Sequence, residues 1–415
     1  MTVNKTKRVS MSFTPIAPTD IKGNVEPSLL LKADKLLVEA AKLEGSHTPQ
    51  ILQAVKNLLY TVNSYYSNKI ESEGTHIIDI ERAMQQKYST DTKKRNLQIL
   101  SLTHIEVQKE CETYFKTNPS ASAYDKKFIL GIHKSFYSKE GMEPFLNITH
   151  ESMQVQIVPG KIRQRDVKVG NHIAPSASNL DGMMNEFEHL YNRSTDSSDA
   201  LKLIHILSSH HRLMWIHPFL DGNGRTARLA LDGAFCSMQM SGYGLWNISR
   251  GLARNSDAYK ENLTYADMSR QGEKDGRGAL SSRALAEYVN FMLETSLDQV
   301  AYMNKHLKLN ALSSKIELYV SRVNDGLLDI QALPKHSEKI FQHLLLNGEC
   351  ARGKVPKIIG MKERTASRVI AELLKRGFIE SDSKAGAIRL KIGASMASYL
   401  FPMLVPEHSK TRAFS

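Results

Sequence analysis

The sequence is poor in the features that mark secreted and membrane proteins. Its three cysteines, Cys111, Cys236 and Cys350, are far apart and odd in number, which argues against a disulfide framework and predicts a reducing, cytoplasmic location. No apolar run approaches the roughly 20 residues that a membrane-spanning helix needs. The basic segment 1–13 also lacks the apolar stretch of a signal peptide. We therefore expect no membrane partner.

Acidic residues are also scarce relative to basic ones. The chain has 43 Asp and Glu against 55 Lys and Arg, and its formal net charge of +12 predicts an anionic partner, either nucleotide or nucleic acid. The charge alone does not choose between them. With 415 residues, 41% of them hydrophobic and 24% charged, the composition is typical of a globular protein with two or three domains.

One stretch, residues 217–228, has the sequence His-Pro-Phe-Leu-Asp-Gly-Asn-Gly-Arg-Thr-Ala-Arg. Apolar residues at helical spacing predict a helix over residues 199–216. Pro218 disfavours a helical conformation at the residue before it, so this helix should end at His217. The imidazole is then placed at the mouth of a loop, where an ordinary pKa of about 6.5 suits a base.

The loop that follows suits an anion. Two glycines around an asparagine can turn successive N–H groups inward. A second helix, predicted over residues 225–240, would add its N-terminal N–H groups and the positive end of its dipole. Two arginines three residues apart on that helix share a face. The candidate anion-binding residues are Gly222, Asn223, Gly224, Arg225 and Arg228.

Each piece alone has a plain structural explanation, because a His-Pro pair is usually a turn and a pair of helix arginines is usually a solvated face. The stretch as a whole, however, matches the Fic motif, His-Pro-Phe-x-Asp/Glu-Gly-Asn-Gly-Arg-x-x-Arg, at every specified position. The chain resembles Fic proteins. That resemblance implies an all-helical catalytic domain that transfers AMP from ATP to a Tyr, Thr or Ser hydroxyl of a target protein.

The charge and reach of each motif side chain, supported by the resemblance, indicate its role in the transfer. His217 removes the proton of the incoming hydroxyl, and Asp221 holds Mg²⁺, which bridges nucleotide phosphates. Asn223 and the glycine backbone cradle those phosphates, while the two arginines neutralise the leaving pyrophosphate. In related Fic proteins the region of Tyr259 lines the adenine side of the pocket, so stacking is expected there, although a core or surface tyrosine explains it as well.

A second signal precedes the motif. Ser67 and Glu71 are four residues apart, on one helix face, which by itself indicates only the end of a surface helix. Many Fic proteins carry an inhibitory helix with Ser/Thr-x-x-x-Glu-Gly/Asn, and both residues match it, whereas Ser72 departs from its last position. The resemblance implies that Glu71 pairs with Arg228 and occupies the fork meant for a terminal phosphate.

Two further patterns predict a β-hairpin before the motif and a separate unit near the C-terminus. Residues 154–158 and 161–169 predict a hairpin around Pro159-Gly160; it is either inert or, as in Fic proteins, a flap that registers the target segment by main-chain hydrogen bonds. Residues 337–391 predict a winged helix-turn-helix, with helices over 337–346, 353–359 and 363–376.

The C-terminal unit is strongly basic, with 13 Lys and Arg against 6 Asp and Glu over residues 334–391. DNA and a docking protein are equally acceptable partners for it. The residues expected at phosphates or base edges are Lys362, Arg364, Arg368, Lys375, Arg376, Lys384 and Arg389.

The predicted fold class is mostly α: a Fic-type helical bundle with a small β-hairpin flap, plus a C-terminal winged helix-turn-helix domain. An apolar stripe over residues 280–312 serves either the core or a homodimer seam. Rival functions are Fic-type transfer of another nucleotide or phosphate-containing group, removal of AMP, and DNA-binding regulation by a nucleotide-sensing Fic domain. The expected parts are an arm (1–26), a helical region with the inhibitory helix (27–110), the catalytic domain with following helices (111–322), a linker (323–336), the winged unit (337–391) and a tail (392–415).

Overall fold

Helices make up most of the computed structural model, which describes residues 25–150, 153–170, 172–192, 198–275 and 279–406. Only short strands accompany them, which confirms the predicted mostly-α class. The expected N-terminal arm lies outside the described residues except for its last two positions. The helices before the C-terminal unit are α1 Pro27–Glu44, α2 Pro49–Ile70, α3 Ile77–Met84, α4 Thr92–Thr117, α5 Lys126–Tyr137, α6 Leu180–Asn192, α7 Asp199–Ile216, α8 Asn223–Ser237, α9 Ile248–Arg254, α10 Ser256–Ala266, α11 Ser282–His306 and α12 Leu309–Asn324.

Helices α7 and α8 form the centre of the bundle. The bounds of α7 are those predicted from its apolar spacing, while α8 starts two residues earlier and ends three residues earlier than expected. Helix α7 contacts α1, α8 and α11, and α8 also contacts α4. Because both helices are buried on nearly every face, the loop that joins them is held from several directions.

Helix α11 buries its apolar stripe within this chain. Leu285, Tyr288 and Met292 have no exposed surface, and the helix packs along α1. The stripe therefore belongs to the core, and the alternative that it forms a dimer seam is wrong. The apolar stripe of α11 therefore gives no support for a homodimer.

Two small antiparallel hairpins lie between α5 and α6. Their strands are β1 Asn147–His150 with β2 Met153–Gln156, and β3 Lys168–Val169 with β4 His172–Ile173. The second hairpin lies beside His217, so we call β3–β4 the flap.

The predicted pairing of residues 154–158 with 161–169 is wrong. The intervening Pro-Gly turn connects the two hairpins and does not close either of them. Its backbone is used for tertiary contacts: Gly160 N–H donates to His133 Nδ1 at 2.9 Å, and Ile157 N–H donates to the Leu146 carbonyl at 2.7 Å. Turn propensity alone could not show which segments pair across it.

The C-terminal unit contains three helices and a three-stranded antiparallel sheet. Their order along the chain agrees with the predicted elements, although membership of the winged helix-turn-helix class stays a prediction. The sheet order is β5-β7-β6. The elements are α13 Ser337–Asn347, β5 Glu349–Cys350, α14 Val355–Ile359, α15 Glu363–Lys375, β6 Ile379–Glu380 and β7 Ile388–Leu390.

The residues expected to be a tail include a packed helix, α16 Ala394–Leu400. Glu81 of α3 accepts the Ala394 N–H at 2.7 Å, so it caps the start of α16. The segment after α16 is also held, since Tyr66 donates to the Leu404 carbonyl at 3.2 Å. The C-terminal residues therefore pack against the helices that flank the Glu71 region.

None of the helices in the described part of the chain combines the length and apolar character needed to cross a bilayer.

Candidate active site

His217 lies at the sharp turn that ends α7. Its backbone is left-handed, with φ 51° and ψ 61°, a conformation that is uncommon for residues other than glycine and clusters at functional sites. The Arg163 Nε–H donates to the His217 carbonyl at 2.8 Å, and the Arg163 backbone N–H donates to the Pro218 carbonyl at 2.9 Å. Arg163 is 2% exposed. It fixes this turn, and the sequence analysis did not identify it.

The imidazole of His217 is held with one ring nitrogen free to accept a proton. Its Nδ1 lies 3.2 Å from the Met214 carbonyl, which can only accept, so Nδ1 carries the proton and Nε2 keeps its lone pair. Burial, helped by His172 and Arg163, lowers the pKa of His217 to about 4. The assumption of an ordinary imidazole pKa is therefore wrong, because that assumption ignored burial.

This pKa predicts the pH dependence of any AMP transfer in which His217 acts as the base. A base with a pKa of about 4 stays unprotonated as the pH falls from about 8 to about 6, whereas an ordinary histidine would lose about fourfold of its basic form. We expect the transfer rate of the Glu71→Gly chain at saturating ATP to change little across this range. The measurement is the initial rate of labelling at each pH, and a fourfold decline by about pH 6 would contradict the lowered pKa.

The loop after His217 is closed by Asn223. The Asn223 Oδ1 accepts the Phe219 N–H at 2.9 Å and its Nδ2 donates to the Phe219 carbonyl at 2.8 Å. The ring of Phe219 stacks on His133, with centroids 3.9 Å apart, and His133 Nε2 lies 3.2 Å from the Asp221 carbonyl. The Asn223 side chain thus shapes the loop, and its expected place at the nucleotide phosphates stays a prediction.

The two glycines of the loop are required by close contacts. Gly222 has φ +77°, and a Cβ there would lie 2.4 Å from the Tyr137 hydroxyl. A Cβ on Gly224 would lie 2.1 Å from the Glu71 Oε1. The Glu71 carboxylate therefore rests against the N-terminal turn of α8, where the anion was expected.

Arg228 is almost fully buried, at 2% exposed, and it contacts the end of α2. Its Nε donates to the Ser67 Oγ at 2.9 Å, and its Nη2 donates to the Ser67 carbonyl at 2.9 Å and to Glu71 Oε1 at 2.7 Å. Within the described residues its Nη1 has no hydrogen-bond partner. The structure thus brings the predicted inhibitory residues to the second motif arginine and leaves one donor open.

Arg225 makes a parallel contact that the sequence analysis missed. It is 4% exposed, donates from Nη1 to the Tyr137 hydroxyl at 3.0 Å, and forms an ion pair with Glu73 through Nη2. The only signal in the sequence was a second acidic residue two positions after Glu71. Both motif arginines are therefore paired with carboxylates from one short segment.

The protonation of these carboxylates depends on burial and nearby charges. Burial opposes the ionised form of Glu71, but Arg228 and Arg225 outweigh it and lower its pKa. For Glu73, burial and the nearby Asp221 and Glu71 carboxylates outweigh Arg225 and raise the pKa. Glu71 is thus the more firmly ionised of the two.

Asp221 is exposed at the rim of the loop and has the hard oxygen donors that Mg²⁺ prefers. No group of three or more potential ligand side chains occurs among the described residues. One carboxylate is nonetheless a sufficient protein contribution where substrate phosphates supply further oxygens. The donor set therefore fits a magnesium ion that arrives with a nucleotide.

Tyr259 does not have the expected position. It is 1% exposed, and its hydroxyl lies 2.8 Å from the His210 Nε2. Without an exposed ring face, the predicted stacking on adenine has no surface in this structure. Tyr259 is buried between α7 and α10, which agrees with the alternative that it is a core tyrosine.

The flap is attached to the core by His172, another residue that the sequence analysis missed. Its Nε2 lies 2.9 Å from the Trp215 carbonyl and its Nδ1 lies 2.8 Å from Asp267 Oδ2. The ring centroids of His172 and His217 are 6.2 Å apart, which places the flap directly beside His217.

Comparisons with known proteins agree with this geometry. Residues 124–233 match the model of the Fic/DOC family. The chain is similar to the protein adenylyltransferase Fic of Drosophila virilis, at 41% identity over 73 residues, which are 18% of this chain and 15% of that protein. The corresponding protein of Drosophila mojavensis is 40% identical over 74 residues, 18% of this chain and 14% of that protein. The match thus spans about one seventh of these relatives.

Solved structures of this fold also resemble the chain. A Fic domain containing signaling protein from Bacteroides thetaiotaomicron superposes with a TM-score of 0.50 at 16% identity, over 67% of this chain and 97% of that one. A Fic family protein from Desulfovibrio desulfuricans G20 superposes with a TM-score of 0.49 at 15% identity, over 90% of this chain and 98% of that one.

The family match covers α5, the flap, α7 and the first 11 of the 15 residues of α8, which are the elements that build the site around His217. Residues 124–233 of this chain thus match the Fic/DOC family, and this stretch includes His217, Arg225 and Arg228.

Proposed function

We propose that the protein is an adenylyltransferase that moves AMP from ATP to a Tyr, Thr or Ser hydroxyl of a target protein, and that Glu71 inhibits it. The observation that carries the proposal is the convergence of His217, Arg225 and Arg228 at one end of α8, with Glu71 bound to Arg228 at 2.7 Å. A base, two buried cations and a removable carboxylate are what a regulated nucleotidyl transfer requires.

In the proposed reaction, His217 Nε2 takes the proton of the target hydroxyl. The oxygen of that hydroxyl forms a bond to the α-phosphorus of ATP, and the bond from this phosphorus to the pyrophosphate oxygen breaks. Arg225 and Arg228 stabilise the negative charge that collects on the pyrophosphate. The flap lies beside His217 and suits a target segment held through its backbone.

Asp221 would hold Mg²⁺ in this proposal, and the ion would supply charge neutralisation at the nucleotide phosphates. The Asn223 side chain keeps the loop in the shape that exposes its backbone amides. The Gly222 and Gly224 backbone would lie under the phosphates: a Cβ on Gly222 would meet the Tyr137 hydroxyl, and a Cβ on Gly224 would enter the space that the Glu71 carboxylate now occupies.

Intact mass spectrometry tests the proposal. We expect the Glu71→Gly chain, incubated with ATP and Mg²⁺, to modify itself and gain a mass increment equal to one adenylyl group. Parallel incubations with other labelled nucleotides and with phosphocholine donors identify a different transferred group, and an AMP-modified substrate tests for AMP removal. No adenylyl increment on the chain or on any protein of a lysate would contradict the proposal.

The remaining partners stay predictions. On α15, Arg364, Arg368 and Lys375 are exposed and suit phosphate contacts with DNA. Two other expected contact residues have internal partners: Arg376 donates to the Ala332 carbonyl at 2.8 Å, and Arg389 is paired with Asp382. A DNA-binding regulator with a nucleotide-sensing domain is thus a secondary candidate. The cytoplasmic location, a homodimer and the domain boundaries are likewise proposals.

A further inference from the structure

We propose that Glu73 is a second inhibitory carboxylate, which occupies Arg225 while Glu71 occupies Arg228, so that each carboxylate separately weakens ATP binding and full affinity requires the release of both arginines. This inference rests on the proposed function and deepens it, since it names a second element in the regulation of the same site.

The end of α2 explains how both carboxylates reach α8. Glu71 is the last residue before the turn, and Ser72 then adopts a left-handed backbone with φ +62°. The Ser72 N–H bonds to the Lys69 carbonyl at 3.0 Å and the Glu73 N–H bonds to the Asn68 carbonyl at 3.0 Å. This left-handed turn reverses the chain. Residues on either side of Ser72 therefore both face α8.

The two motif arginines have different partners. Arg228 is bound by Ser67 and Glu71, whereas Arg225 is bound by Tyr137 and Glu73. Removal of Glu71 alone would leave Arg225 paired. Since two guanidiniums are available for one polyphosphate, each carboxylate blocks a different part of the same anion site.

The burial of Arg225 shows why the contact matters. Its side chain is 5% exposed, and within the described residues its Nε has no hydrogen-bond partner. A buried guanidinium requires a counter-charge, which is supplied by Glu73 when the site is empty and would be supplied by phosphate when it is filled. The Glu73 side chain is 38% exposed, so it has a path into solvent.

A purely structural role for Glu73 predicts the opposite result. If the carboxylate only balanced Arg225, its removal would loosen the loop and weaken the binding of any nucleotide. If it competes with phosphate, its removal strengthens binding of ATP and leaves the binding of adenosine, which has no phosphate, unchanged. The direction of the change in ATP affinity therefore separates the two roles.

The experiment measures the affinity of the full chain for Mg·ATP and for adenosine by isothermal titration calorimetry. The variants are Glu73→Gln, which keeps the size of the side chain, Glu71→Gly and the double substitution. Glu44→Gln, at an exposed position at the end of α1, is the charge-matched control. Thermal unfolding of each variant checks folding, and Glu73→Ala replaces Glu73→Gln if that variant unfolds.

We expect Glu73→Gln to lower the Kd for Mg·ATP by roughly tenfold. This is the change expected when the Glu73–Arg225 contact blocks about nine molecules in ten of the wild type, because only the unblocked fraction binds ATP. The double substitution should bind more tightly than either single one, and Glu44→Gln should match the wild type. If Glu71→Gly binds ATP but Glu73→Gln binds it no better than wild type, the inference is overturned. If no variant binds ATP, the proposed function fails instead.

Discussion

Replacement of Glu71 by glycine is expected to raise AMP transfer by about 10- to 100-fold, because a charge-assisted hydrogen bond contributes about 1.5–3 kcal/mol. In the wild-type chain the Glu71 carboxylate accepts a hydrogen bond from the Arg228 Nη2 at 2.7 Å. It also lies against Gly224 at the start of α8. It therefore occupies both the Arg228 guanidinium and the space that a nucleotide phosphate needs. Autoradiography with α-labelled ATP measures the change.

The matched control for this experiment is Ser72→Gly. It adds a glycine to the same turn at a position whose φ is already +62°, and it keeps both carboxylates. We expect this variant to label like the wild type, since the turn is preserved. Equal labelling of Glu71→Gly and wild type, or equal activation by Ser72→Gly, would mean that the carboxylate of Glu71 does not limit the reaction.

Replacement of His217 by alanine in the Glu71→Gly chain is expected to lower AMP transfer by about 10²- to 10⁴-fold, the usual contribution of a general base. The affinity for ATP should change little, because the anion is held by Arg225, Arg228 and the loop backbone. Initial rates of transfer and calorimetric titration with ATP separate these two effects.

His189→Ala is the control for this substitution, since His189 is an exposed histidine on α6. It should keep the activity of the Glu71→Gly parent. Transfer by the His217→Ala variant at a rate close to that parent would refute the assignment of the base. A loss of ATP binding in the same variant would instead indicate that the left-handed turn after Ile216 has collapsed.

Much of the helical scaffold could be predicted from local patterns. The apolar spacing of residues 199–216 defined α7, and Pro218 correctly indicated its end. The three helices of the C-terminal unit also occur within two residues of their predicted bounds. These features depend on neighbours in the sequence, so they can be read one element at a time.

Strand pairing was predicted less well. The turn at Pro159-Gly160 was recognised, but the partners of the flanking segments were not, since β2 pairs back with β1. A turn signal defines where a chain bends and does not define which backbone groups bond across the bend. The same limitation hid α16, whose start is capped by the distant Glu81.

By itself the sequence determined that a helix ends at His217, that a glycine-containing loop follows, and that two arginines share the next helix face. Only the tertiary structure decided that Glu73 meets Arg225, that Arg163 and His172 hold the turn and the flap, and that Tyr259 is buried. The physical reason is distance along the chain: each of these contacts joins residues more than 40 positions apart. Packing alone sets such contacts, and the pKa of His217 follows from the same burial.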